Sequence, residues 1–166
     1  MKRTKLLALA LAGVMVLALL TGCSDSSSQA KQVEEYFRYR RGQFADYQKD
    51  ETLDKKLEVI AQQFQPDWLD DRNGGLTEDA RNIIRDELSD YVIAGGVTPW
   101  VGEVKPGQSA LAQAESMKKC RGLKYDASYG SQPLYAIAFT MTGEKSDGHR
   151  YYLALVMEAT VKTPQT

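Results

Sequence analysis

An uncharged, almost wholly apolar run from Leu6 to Leu20 follows Lys2, Arg3 and Lys5, and the chain turns abruptly to serines after Cys23. No other feature limits the fold as much, because three fates are open to such a run: to cross a membrane, to fill a core, or to be removed. A helix spanning the hydrocarbon layer needs ~20 residues. Leu6 to Gly22 falls short of that, and no basic cluster follows it to stop transfer. An amphipathic core helix keeps a polar face, and this run has none. A basic start, an apolar stretch of about 7–15 residues and small residues before a cut site are the parts of an export signal.

The end of the run is more specific. Leu20-Thr21-Gly22-Cys23 resembles the lipobox of bacterial lipoproteins. In that family the cysteine thiol carries a diacylglyceryl group and a dedicated peptidase cuts before it. The resemblance implies that residues 1–22 are a signal peptide and that Cys23 is the lipidation site. It also implies a location on the extracytoplasmic side of a cell membrane or outer membrane. The competing reading is an ordinary secretory signal that contains a cysteine. Two acyl chains suffice for stable attachment, at about 0.8 kcal/mol for each buried CH₂. Ser24 to Gln32 is polar and aperiodic. It reads as a flexible tether over residues 23–32, with a span on the order of 15–18 Å, and a single domain occupies residues 33–162.

The whole chain of 166 residues has a formal charge of −1, and removing the three cations of residues 1–22 (no acids lie there) gives −4. That mild acidity argues against a nucleic-acid partner and against electrostatic docking to anionic lipid. Of the two cysteines, lipidation of Cys23 leaves Cys120 without an intramolecular mate. Cys120 reads as a small buried apolar residue, with an interchain disulfide as the alternative.

Three helical patterns open the domain. Val33, Tyr36, Phe37, Phe44 and Tyr47 recur at near-helical spacing, with Gly42 marking a kink or an early end. Leu53, Leu57, Ile60 and Phe64 form a second stripe, capped by Asp50 or Thr52 and closed ahead of Pro66. The third begins at Thr77 as cap, has Glu78 and Asp79 in its first turn, and buries Ala80, Ile83, Ile84, Leu88 and Tyr91. Gly95-Gly96 and Pro99 limit the next segment to a short or bulged strand around Val97 to Val104. Ser109 to Lys119 reads as a short helix with Leu111, Ala114 and Met117 inward.

Leu134–Thr142 and Arg150–Val161 are aromatic and β-branched runs that form a hairpin. A three-residue loop, Ser146-Asp147-Gly148, would place Met141 opposite Leu153. It would also put Tyr135, Ile137, Phe139 and Met141 on one face with Tyr151, Leu153, Leu155 and Met157. Helices followed by a sheet with one strongly apolar face predict an α+β fold. N-terminal helices would pack on one face of an antiparallel sheet that ends in the long C-terminal hairpin. This element order is similar to that of the nuclear-transport-factor-2-like and cystatin-like folds of many small secreted lipoproteins.

No local motif names a reaction. Asp67, Asp70, Asp71, Asn73, Thr77, Glu78 and Asp79 crowd one loop, but neither register on Gly74 or Gly75 satisfies a calcium loop, and a turn with a helix cap explains them. Basic residues alternate with aromatics in "EEYFRYRRGQF", and a Glu34–Arg38 pair on a solvated helix face accounts for that pattern. His149 is the only histidine and follows a turn glycine, so neither a zinc cluster nor a catalytic base is indicated; no metal or cofactor is expected. Glu158 is the carboxylate to inspect for a pocket, because it lies mid-strand among small residues. Its competing reading is a solvent-facing sheet side. Trp68 and Trp100 either flank a binding surface or pack internally. The sequence thus predicts a lipid-anchored extracytoplasmic module that binds a protein or small ligand. The alternative is a small pocket enzyme or ligand carrier of the nuclear-transport-factor-2-like kind using Glu158.

Overall fold

The computed structural model describes residues 26–42, 46–127 and 132–162. The expected signal peptide, Cys23 and Phe44 lie outside these residues. Within them the α+β expectation holds, with helices packed against an antiparallel sheet.

Helix α1 spans Ser26–Arg41. It begins seven residues ahead of Val33, so the described part of the expected tether, from Ser26 onward, is helix. Ala30, Val33 and Phe37 supply the reason: they lie at i, i+3 and i+7 and pack on the sheet, carrying the polar turn before them into the helix. The Gln29 side chain adds a bond to the Gln108 carbonyl at 3.0 Å. Gly42 ends the helix by donating to the Arg38 carbonyl at 2.7 Å.

Helix α2 spans Glu51–Gln63, with Asp50 accepting from the Leu53 amide, and Phe64 ends it ahead of Pro66. Helix α3 spans Glu78–Leu88 behind the Thr77 cap. Helix α4 spans Ala110–Ser116 behind Ser109. It turns Ala110, Gln113 and Ala114 inward, while Leu111, expected inside, is exposed. Met117 is buried just beyond the helix.

Strand β1 runs Val92–Glu103 and is longer than the expected Val97–Val104 segment. It is an inner strand, in the order β2 (Lys118–Lys119), β1, β5 (Tyr151–Val161), β4 (Gln132–Met141), with β3 (Leu123–Asp126) also paired to β1. Pro99 is tolerated there for a local reason. Its carbonyl accepts from the Cys120 amide at 2.9 Å, so its ring nitrogen faces the gap between β2 and β3, where no ladder partner is needed. Gly95 takes φ +106 just past the register shift between Val92 and Ala94, and its missing side chain lets β5 approach.

The hairpin turn forms as expected. Lys145 pairs with His149 through a 2.9 Å bond, Gly148 donates to the Lys145 carbonyl at 2.9 Å, and Gly148 is left-handed at φ +79. The strand register nevertheless differs, because Met141 faces Tyr152 and not Leu153. The Thr142 amide donates to the Tyr151 carbonyl at 2.8 Å, so Gly143 and Glu144 together oppose Arg150 alone. That is one extra residue, a bulge, and it moves every β4 side chain to the other face. The bulge is held by the Thr142 hydroxyl, which accepts from the Tyr151 amide at 3.0 Å.

Each face therefore carries one heavy row and one small row, and both faces are covered. On the first, Ala136 and Ala138 lie beside Leu155 and Met157 under α2 and α3. On the second, Ile137 and Phe139 lie beside Tyr152 and Ala154 under α1 and α4. The expected single helical face is corrected to two. The outer edge of β4 is partly closed: Gln48 donates to the Tyr135 carbonyl at 3.0 Å and accepts from the Ile137 amide at 3.1 Å.

Candidate functional site

Glu158 lies on the second face, at the end that α1 leaves uncovered. It pairs across the strands with Tyr135 on one side and with Gly96 on the other. The structure places it neither in a closed cavity nor on a flat face, but in an open groove of about 500 Å³. The floor is the sheet, from Glu158 through Val156 and Thr98 to Trp100, beside which β2 sets Lys119. The wall is the last turn of α1, with Arg40 and Arg41, and then Tyr47.

The Tyr47 hydroxyl donates to the Glu158 carboxylate. Burial, with the Glu158 acceptor and its charge behind it, pushes the Tyr47 phenol up to about 12. It stays a hydrogen-bond donor at neutral pH and is no proton acceptor there. Glu158 itself is exposed, with Tyr135 half exposed beside it.

At the other end, the Arg41 guanidinium lies 3.7 Å from the centroid of the Trp100 ring and 5.6 Å from that of Phe37. Burial, and then the neighbouring charge of Arg40, lower its pKa, yet a guanidinium stays cationic at neutral pH. Its Nε is buried without a hydrogen-bond partner. Arg40 is taken up by Glu115 of α4. Arg41 and Lys119 have no carboxylate partner among the described residues. The groove is thus bipolar, with two unneutralised cations at the Trp100 end and a carboxylate at the other.

The remaining sequence candidates are structural where they are described. Trp68 is buried against Phe64, ring centroids 5.6 Å apart. Asp70 accepts from the Arg72 amide at 2.8 Å and from the Asn73 amide group at 2.6 Å, closing the turn that leads to the Thr77 cap. Arg38 pairs with Glu34 at 2.8 Å, as the four-residue spacing implies. His149 meets Glu103 at 2.9 Å on the surface. Cys120 is a free, buried thiol; burial pushes it up to about 11 against the pull of Lys118, so it is little ionised. It sits under Gly75, where a Cβ would stand 2.9 Å from its sulfur.

Sequence reasoning singled out Glu158 and Trp100 separately, and missed Arg41, Tyr47 and Lys119. Alternation along β1 would have put Trp100 on one face with Thr98 and Gly96 had the full strand been recognised. No family of known proteins, no curated protein and no solved structure matches this chain.

Proposed function

We propose that this chain is a lipid-anchored, extracytoplasmic binding module whose lipid is carried on Cys23 and whose ligand occupies the groove between Trp100 and Glu158. The observation that carries the anchoring is the ordered series of basic start, apolar run and Leu20-Thr21-Gly22-Cys23. The early start of α1 sharpens the geometry. Three residues, Cys23 to Asp25, precede Ser26, and even fully extended they reach only about 10 Å. The 16-residue helix α1 is about 24 Å long, and Arg41 sits at its far end. A lipid on Cys23 therefore fixes the start of α1 near the headgroups and lets the groove at its other end lie up to about 24 Å further out.

Mass spectrometry of the protein from its native membrane tests the anchoring. The expected product begins at Cys23 and carries a thioether-linked diacylglyceryl group, and Cys23→Ala releases the protein from the membrane. A product that retains residues 1–22, or an unmodified Cys23, overturns the proposal. The Tyr47–Glu158 pair favours a second reading, a ligand carrier or pocket enzyme of the nuclear-transport-factor-2-like kind. Under it, Glu158→Gln abolishes turnover or carriage while the protein stays on the membrane.

A further inference from the structure

Resting on the groove as the binding face, we infer that its ligand is a short linear peptide of three or four residues with both termini free. The carboxylate would lie against Arg41 and Lys119, and the ammonium against Glu158. Three observations lead there. First, charge separates along the groove. Lys119 is the cross-strand neighbour of Trp100, over which Arg41 stacks, whereas Glu158 is the neighbour of Gly96. Trp100 and Gly96 are four residues apart on β1, on the order of 13 Å at a strand rise of about 3.3 Å. An extended peptide of three or four residues spans about 10–14 Å at the same rise, so its two charged ends match the two ends of the groove.

Second, the groups left unused suit those ends. Arg41 and Lys119 lack carboxylate partners among the described residues. A terminal carboxylate supplies acceptors for both cations. Only one oxygen of Glu158 is engaged by Tyr47, which leaves the other for an ammonium, with the half-exposed Tyr135 ring alongside to receive its charge.

Third, the competing ligands fit less of the site. A simple anion such as phosphate would use the cationic end and leave Glu158 without a role. A polyanion would meet repulsion from Glu158 and from the net negative charge of the chain.

Calorimetric titration of the full-length protein in detergent with trialanine and tetraalanine tests the inference. Saturable binding is expected. N-acetylation and C-terminal amidation of the peptide should each weaken it by about three- to tenfold, the range of a solvent-accessible charge pair and its hydrogen bonds. Glu158→Gln should weaken the free peptide to the same degree yet leave the N-acetyl peptide unchanged. Lys119→Gln, an exposed change that spares the Arg41–Trp100 stack, should do the same for the free and amidated peptides. Equal weakening of blocked and free peptides by either variant overturns the inference, because it signals a merely structural role. Inorganic phosphate binding where peptides do not also overturns it, while leaving the groove as a binding face. Binding of neither probe removes the peptide assignment and leaves the anchoring, tested by mass spectrometry, untouched.

Discussion

Two adjacent glycines in β1 should respond in opposite directions to the same substitution. A Cβ on Gly95 would stand 2.6 Å from the Glu158 carbonyl oxygen and 2.7 Å from the Ala159 Cα, and its φ is +106. The backbone conformation costs an L-residue about 1–3 kcal/mol, and forcing β5 away from an inner strand costs about 1–3 kcal/mol more. Gly95→Ala should therefore destabilise by about 2–6 kcal/mol, a large part of the about 5–15 kcal/mol that holds a domain together. A Cβ on Gly96 meets nothing within 4 Å, and its φ lies outside the left-handed range. Gly96→Ala should stabilise by about 0.4–1 kcal/mol by restricting the unfolded chain. Urea denaturation followed by far-UV circular dichroism reads both. With a slope of about 1–3 kcal/mol per molar, the midpoint should fall by a molar or more in the first variant and rise slightly in the second. Equal midpoints, or a tolerated alanine at 95, would refute the close approach of β5 to β1.

The hairpin bulge predicts that Thr142→Val, which keeps the shape of this buried side chain, leaves the Tyr151 amide without its acceptor. A loss of about 1–3 kcal/mol is expected in the same urea assay, and an unchanged midpoint would argue against the bulge. Alkali should also unfold the protein. Burial pushes the phenols of Tyr47, Tyr125 and Tyr151 up to about 12, helped at Tyr47 and Tyr151 by carboxylate acceptors. Unfolded tyrosines ionise near ~10, so above that pH the unfolded chain binds fewer protons than the folded one and stability falls as pH rises. Thermal midpoints measured from pH 7 upward should begin to fall near about pH 8.5, where the unfolded Cys120 thiol ionises, and fall more steeply beyond about pH 10, with a shallower drop in Tyr125→Phe; a flat or rising profile contradicts this.

The parts of the fold legible in the sequence are those decided within one turn of chain. Asp50 and Thr77 cap helices because their side chains reach amides three residues on, and Gly148 marks the left-handed corner of its loop. Features decided between distant segments were not legible. The Gly143–Glu144 bulge depends on a single hydroxyl–amide bond across the hairpin, and it reverses a face assignment that the turn alone would fix. Strand β1 is longer than its sequence suggests because two breakers by type are accommodated by neighbours, Gly95 by β5 and Pro99 by the β2–β3 gap. The start of α1 was hidden because its first turn is polar and gains its order from Val33 and Phe37 further on. Glu158 could be chosen for its position in a strand. Its companions come from α1, β2 and Tyr47, and only the folded chain brings them to it.

Under the proposed anchoring, the partly closed border of β4 has a consequence for molecules held side by side. Main-chain groups of Pro133, Tyr135, Ile137, Phe139 and Met141 alternate toward that border, by the alternation of strand backbone directions. Pro133 has no amide to offer, and Gln48 occupies the Tyr135 carbonyl and the Ile137 amide. Among the described residues Gln48 thus interrupts the border midway, and the groups left on either side of it form two short stretches, not one continuous template for a second sheet to zip onto. Crowding such domains in two dimensions would raise their encounter rate without giving them a shared ladder to extend.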